Sequence, residues 1–226
     1  MRMFLFLFIL TTNFSKCSGQ KYSDFIPKEF RYPDSKIGAG KIFIYEDSIT
    51  KQRRFENLRI LNSNGKQFKT TKSYDSISIS DSIKSFNGRV VERYNFFLNK
   101  GGSPIKAEDL EDTVINNGHR LGSHLSQIRY ETDALIYTAS SKEEFLKDTT
   151  ITWQGNQLPS LVLFGNSKVE IKAKADTSVS QVLEVHLKFY YAKYLGLIQY
   201  SIQFTDHTGK ENHGLWKLKR IDDMKN

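Results

Sequence analysis

Between Val185 and Ile221 the apolar residues change parity at a single corner, and that switch limits what the chain can fold into. Val185, Leu187, Phe189 and Tyr191 stand at odd positions, with His186, Lys188 and Tyr190 between them. Beyond Ala192-Lys193-Tyr194-Leu195-Gly196 the apolar set moves to even positions, Ile198, Tyr200, Ile202 and Phe204, against Gln199, Ser201 and Gln203. A period of two on each side of a glycine corner is the pattern of two half-buried strands in a hairpin. His207-Thr208-Gly209-Lys210 turns the chain again, and Gly214 to Leu218 reads as a third strand.

The same grammar runs back through the chain. Lys41 to Tyr45 is a compact apolar run, and Arg54 to Leu61 leads to Asn64-Gly65, a hairpin turn whose two residues tolerate positive φ. Gln67 to Ser73 is its return strand. Ser76 to Ile83 alternates isoleucine with serine, and Asn87-Gly88 turns it into a strand carrying Val90, Tyr94, Phe96 and Leu98. Leu125 to Tyr130, polar enough for a sheet edge, and Ala134 to Thr138 read as strands, followed by Thr150 to Trp153, Ser160 to Phe164 and Val169 to Ala175, punctuated by Gly155-Asn156, Pro159 and Gly165-Asn166. Two short helices are expected. Ser103-Pro104 before Ala107-Glu108-Asp109-Leu110 has a cap residue, a proline and early acids, and Ser141-Lys142-Glu143-Glu144 is a capping-box pattern running to Lys147.

Roughly ten or more strands at a turn spacing of about 8–12 residues make a mainly β chain. The expected fold is an antiparallel meander forming a curved sheet, half-barrel or barrel, with one or two short helices. A parallel α/β enzyme core is excluded, because it needs crossover helices between strands. At 226 residues one β domain over 39–223 suffices, preceded by an extended lead-in over 20–38. Pro27 and Pro33 space Phe25, Phe30 and Tyr32 in that lead-in, which is expected to cross the outside of the sheet.

Residues 1–19 read as a signal peptide. Met1-Arg2-Met3 is positive, Phe4 to Leu10 is an unbroken apolar run too short to span a bilayer, and Thr11-Thr12-Asn13 is polar again. Two maturation routes are open. Cleavage after Cys17-Ser18-Gly19 leaves Gln20 first, whereas lipidation of Cys17 makes a lipoprotein despite Lys16 at a position that favours a small residue. The chain is thus expected to be periplasmic or in the outer envelope, soluble or lipid-anchored. Cys17 is the one cysteine, so neither an intrachain disulfide nor a cysteine metal cluster can form.

The net charge of +8 is spread over alternating strand positions, so no nucleic-acid partner is expected. The reading is a solvated basic surface, with weak attraction to an anionic envelope surface as the alternative.

The search for chemistry is largely negative. His119, His124, His186, His207 and His213 make no metalloprotease helix, and both the Gly-x-Ser-x-Gly and phosphate-loop patterns are absent. No catalytic residue, metal or cofactor is expected. The densest polar cluster runs from Gly118 to His124; it reads as an ordinary turn, or else as a loop presenting His119, Arg120 and His124 to an anion. The pairs Glu108/Asp109, Glu111/Asp112 and Glu143/Glu144 suit helix starts. Trp153, Tyr191, Tyr200 and Trp216 are the candidate ligand-binding residues, their alternative role being to fill the β core.

The run Phe189-Tyr190-Tyr191-Ala192-Lys193-Tyr194-Leu195-Gly196-Leu197-Ile198-Gln199-Tyr200 resembles the aromatic-alanine-glycine corner of secreted proteins and lipoproteins of Gram-negative bacteria that are similar to LolA/LppX-type β half-barrels. The resemblance covers the C-terminal segment and departs at Tyr194, where the related pattern more often has glycine. It implies an exported protein with a curved antiparallel sheet that embraces short helices or a lipid-sized cavity, and it carries over no catalytic residue. The leading expectation is therefore a non-enzymatic envelope protein that binds a lipid-like or other apolar ligand, or an envelope partner protein, and meets the membrane only through an N-terminal lipid. The alternatives are a structural or surface-interaction protein that binds through a sheet edge, and an envelope hydrolase built on the histidines and carboxylates.

Overall fold

A computed structural model describes residues 25–75, 79–86, 89–97, 105–115, 120–176, 178, 180–206 and 208–224. The segment expected to be a signal peptide, with Cys17, the expected turn at Asn87-Gly88, and His119 and His207 lie outside the described residues. Two single 3-10 turns, Lys28–Phe30 and Asp34–Lys36, precede thirteen strands. These are β1 (Lys41–Asp47), β2 (Arg53–Ser63), β3 (Lys66–Asp75), β4 (Ile79–Phe86), β5 (Arg89–Phe97), β6 (Ile105–Lys106) and β7 (Glu108–Ile115), then β8 (Ser123–Glu131), β9 (Leu135–Trp153), β10 (Asn156–Ala173), β11 (Ser180–Ala192), β12 (Gly196–Thr205) and β13 (Glu211–Asp223).

All are antiparallel in one sheet, and each pairs with its neighbour in sequence except where β1 meets β13. The sheet's two ends are β6 and β7, consecutive stretches of one chain. Ile105 and Lys106 pair with β5, the Ala107 amide still donates to the Arg93 carbonyl, and Glu108 onward pairs with β8. The meander is thereby nearly closed into a barrel, an arrangement that removes exposed edges.

The parity switch is met at the atomic level. Leu183, Val185, Leu187 and Phe189 on β11 and Ile198, Tyr200 and Ile202 on β12 are all buried, with Phe189 opposite Tyr200 and Leu187 opposite Ile202. Leu161, Leu163 and Val169 of β10 extend the layer, and Phe43, Tyr45 and Leu58 of β1 and β2 continue it across the β1–β13 seam. The corner between β11 and β12 is as tight as a glycine version would be, because Tyr194 takes a φ of 61° and Gly196 a φ of 80°. A Cβ on Gly196 would also stand 3.2 Å from the Tyr32 amide nitrogen. Left-handed backbone costs a side-chain-bearing residue about 1–2 kcal/mol, and Tyr194 is half exposed. Tyr194→Gly therefore raises stability by roughly 0.5–1 kcal/mol, measured as a higher urea midpoint at unchanged slope.

Several expectations are corrected. The lead-in lies against the core and not outside the sheet: Phe25, Ile26, Phe30 and Ile37 are buried in the same apolar cluster as β8 to β13. Tyr32 packs edge-on to Phe43, and the Glu29 carbonyl accepts from the Tyr194 amide. The short helices fall in this segment as the two 3-10 turns, while both predicted sites are strand. Glu108–Ile115 is β7, and Ser141 to Lys147 lies inside β9, where Ser141 and Glu143 face inward opposite Ser167 and Gly165. Gly165-Asn166 does not break β10, since Gly165 sits where an added Cβ would touch Leu187, Phe189 and Glu143 at 3.4–3.5 Å. Nor is β8 an edge; it pairs on both sides, with β7 and β9.

Candidate functional site

Two inward-facing groups carry chemistry. The first is built where β1, β2, β11, β12 and β13 come together. Tyr200 of β12 stacks on Trp216 of β13, with ring centroids 6.0 Å apart and planes 12° from parallel. Tyr45 of β1 meets Tyr200 at 5.9 Å, and its hydroxyl donates to the Leu197 carbonyl at 2.9 Å. Arg54 of β2, paired with Tyr45 across the ladder, places its guanidinium 6.0 Å from the Tyr200 ring centroid, within cation–π range. Glu56 follows two residues on, on the same face of the strand. Burial pushes the Tyr45 hydroxyl well above its usual range, with Glu56 and Tyr200 adding to it, and burial raises Tyr200 despite the nearby Arg54 charge. Both phenols stay neutral at any physiological pH.

Of the four sequence candidates, Tyr200 and Trp216 are in direct contact, and Tyr191 of β11 is close enough to Tyr45 to act on its ionisation. Trp153 enters from elsewhere. Although β10, β11 and β12 separate β9 from β13, the Trp153 indole nitrogen donates to the Leu218 carbonyl at 3.1 Å. The tip of the β9–β10 hairpin, turned by Gln154 and Gly155 at positive φ, thus leans across this end of the barrel. Tyr45 and Tyr200 are sealed, whereas Arg54, Glu56, Tyr191, Trp153 and Trp216 keep part of their surface open to solvent. A Cβ on Gly214 would stand 3.2 Å from the Trp216 indole nitrogen, so this glycine lets the ring lie close over its own strand.

The second group is His124 of β8, fully buried between Asp112 of β7 and Glu143 of β9. Its Nε2 is 2.9 Å from Asp112 Oδ1, and its Nδ1 is 3.9 Å from Glu143 Oε2. The second distance is that of an ion pair, too long for a hydrogen bond. The Phe25 ring of the lead-in covers the imidazole at 5.6 Å. Burial pushes both carboxyls up, with His124 partly opposing, and burial pulls His124 down, but the attraction of Asp112 and Glu143 leaves it raised on balance. Asp112 and Glu143, expected at helix starts, are instead its two neighbours on adjacent strands. Among the described residues no group of three or more His, Cys, Asp or Glu is arranged to hold a metal ion.

These three shifts have one sign. Each group binds its proton more tightly folded than unfolded, so each contributes stability at low pH that is lost as pH rises through its folded value. The window opens above the ordinary carboxylate range for Asp112 and Glu143 and above 6.5 for His124. Thermal stability should therefore fall between about pH 5 and pH 8, and Glu143→Gln should flatten that slope, as calorimetry at several pH values would record.

Sequence reasoning missed Tyr45, Arg54 and Glu56 as members of the first group. A signal existed, since Arg54, Glu56, Leu58 and Ile60 share one parity, which places two charges on a face that also points inward. The other two described histidines are peripheral: His186 is exposed and within 2.6 Å of Asn166 Oδ1, and His213 is exposed beside Glu211 at 3.4 Å. Among the described residues no helix is long and apolar enough to cross a membrane.

No protein-family model matches the chain, and no curated protein matches it. Among solved structures, a crystal structure of a putative lipoprotein from Parabacteroides distasonis ATCC 8503 aligns over 85% of this chain and 98% of its own, at 9% identity and a TM-score of 0.42.

Proposed function

We propose that this chain is an exported, non-enzymatic envelope protein that holds an apolar or amphipathic ligand at the Tyr191–Tyr200–Trp216 end of the barrel. One observation carries the reading: aromatic and charged side chains that face the inside of a nearly closed barrel are only partly covered there. An indole and a phenol offer apolar area with polar tips, and Arg54 beside Glu56 offers a charged rim for an acidic head group. A concave, mostly apolar site with a few convergent polar groups is the usual form of a small-molecule site. The resemblance of the β11–β12 corner to LolA/LppX-type half-barrels supports a lipid-like ligand, and the apolar run at Phe4 to Leu10 supports export. The non-enzymatic part rests on His124, whose burial under Phe25 keeps the strongest acid–base group away from any substrate.

The test uses Trp153→Phe, which leaves Trp216 as the one indole. Titrating it with a lysophospholipid below its micellar concentration should give a saturable blue shift of the emission, abolished by adding Arg54→Ala and Tyr200→Ala. An emission spectrum unchanged by lysophospholipid and by long-chain fatty acid would overturn the proposal.

A further inference from the structure

The outward face of β2 to β5 differs from the rest of the barrel. Cross-strand pairing sets Phe55 opposite Tyr74 and Leu61 opposite Phe68, then Phe68 opposite Phe86. None of these five side chains belongs to the core cluster or packs against it, and Leu61 is 45% exposed. Arg53, Arg59, Lys66, Lys72 and Lys84 share this face. Its described acid on these strands is Glu92, 3.4 Å from Lys84. Cations that look scattered along the sequence are gathered by the ladder into one aromatic and basic surface.

The way the rings are used selects the partner. Phe55 and Tyr74 stack on each other at 5.1 Å and 16°, and Phe68 and Phe86 meet at 5.4 Å. Lys84 Nζ lies 4.6 Å over the Phe68 ring and Lys66 Nζ 5.4 Å over Phe86. Binding a single nucleic-acid strand or a sugar chain needs bare ring faces for stacking, whereas here Phe55 and Tyr74 already stack on each other and lysines lie over Phe68 and Phe86. The outward face is thus a band of paired aromatic rings with ammonium groups lying over two of them, the composition that settles at a lipid head-group layer.

We propose that the outward face of β2 to β5 is a docking surface for an anionic lipid bilayer, recognised through its phosphate head groups by Arg59, Lys66, Lys72 and Lys84 and through its interfacial layer by Phe55, Leu61, Phe68 and Phe86. The proposal takes from the preceding section only the exported location, and the surface is on the opposite side of the sheet from the ligand group.

The test is flotation of the Cys17→Ser protein, as purified from expressing cells, with vesicles of phosphatidylglycerol and phosphatidylethanolamine, and separately with phosphatidylcholine alone. Binding to the anionic vesicles, weakened by salt and exceeding that to phosphatidylcholine, is expected. The variant R59Q/K66Q/K72Q/K84Q should lose roughly six hundredfold in partition, at about fivefold per cation, whereas K142Q/K168Q/K188Q on the outward face of β9 to β11 should keep it. Lys66→Glu alone, an exposed change beside the Asn64-Gly65 turn, should act in the same direction should the fourfold variant fail to fold. Trp216→Ala should leave flotation unchanged, so that failure of the ligand reading and failure of this one are separable. Equal partition into both vesicle types, full binding by the Lys66→Glu and fourfold variants, or capture by a soluble anionic polysaccharide without flotation would each overturn the assignment.

Discussion

Replacing His124 by alanine lowers stability by about 3–5 kcal/mol at neutral pH, although the residue lies far from any surface. The cost is not the lost imidazole packing alone. Asp112 and Glu143 are buried, and His124, whose hold on its proton they strengthen, is the group that offsets their charge. The deficit should shrink at pH 5, where the stranded carboxyls take up protons, and this pH dependence separates the electrostatic account from a simple cavity. A second variant sharpens it. Asp112→Leu, His124→Leu and Glu143→Leu together should recover most of the loss, since buried ion groups replaced by apolar ones of similar size are often neutral or better. Guanidinium unfolding at pH 5 and pH 8 measures the wild type and both variants.

The second large effect belongs to the lead-in. Phe25 is 1% exposed and covers His124, so Phe25→Ala should cost about 3–5 kcal/mol in a single cooperative transition. A loss below about 1 kcal/mol, typical of surface changes, would mean that the segment is a detachable strap. The larger figure makes residues 25 to 37 part of the fold, because their buried side chains supply apolar cover where the sheet alone would leave its inner face wet.

That segment also marks the limit of reading by pattern. Strand parity is legible because one face is apolar and the other polar, and it placed β11, β12 and the buried face of each correctly from Val185 to Phe204. The Asn64-Gly65 turn is equally plain, with φ of 50° and 70°. Prolines and aromatics in the lead-in have no period, so nothing local tells which side of the sheet they cover. At Ser141 to Lys147 the local signal is a helix start, yet the ladder to Ser167 and Gly165 overrides it; propensity yields to pairing on both sides. Gly165-Asn166 reads as a turn for the same reason, whereas there the missing side chain makes room for Glu143, Leu187 and Phe189.

The candidate site was half legible. Tyr191, Tyr200 and Trp216 announce themselves as aromatics on strands that end the chain, and Trp153 as one next to a turn. Arg54 and Glu56 do not, because a charge on an inward face looks like an ordinary surface charge until its partners across the barrel are known. Asp112 and Glu143 were hidden for a related reason, being carboxylates in acidic runs whose meaning comes only from the strand pairs that bring them to His124.

The most direct test of the ligand-holding account is native mass spectrometry of the protein purified from its own cell envelope. The account predicts an adduct of lipid mass on the mature chain that survives gentle activation and is absent from Trp216→Ala. A bare polypeptide under the same conditions, wild type and variant alike, would contradict it.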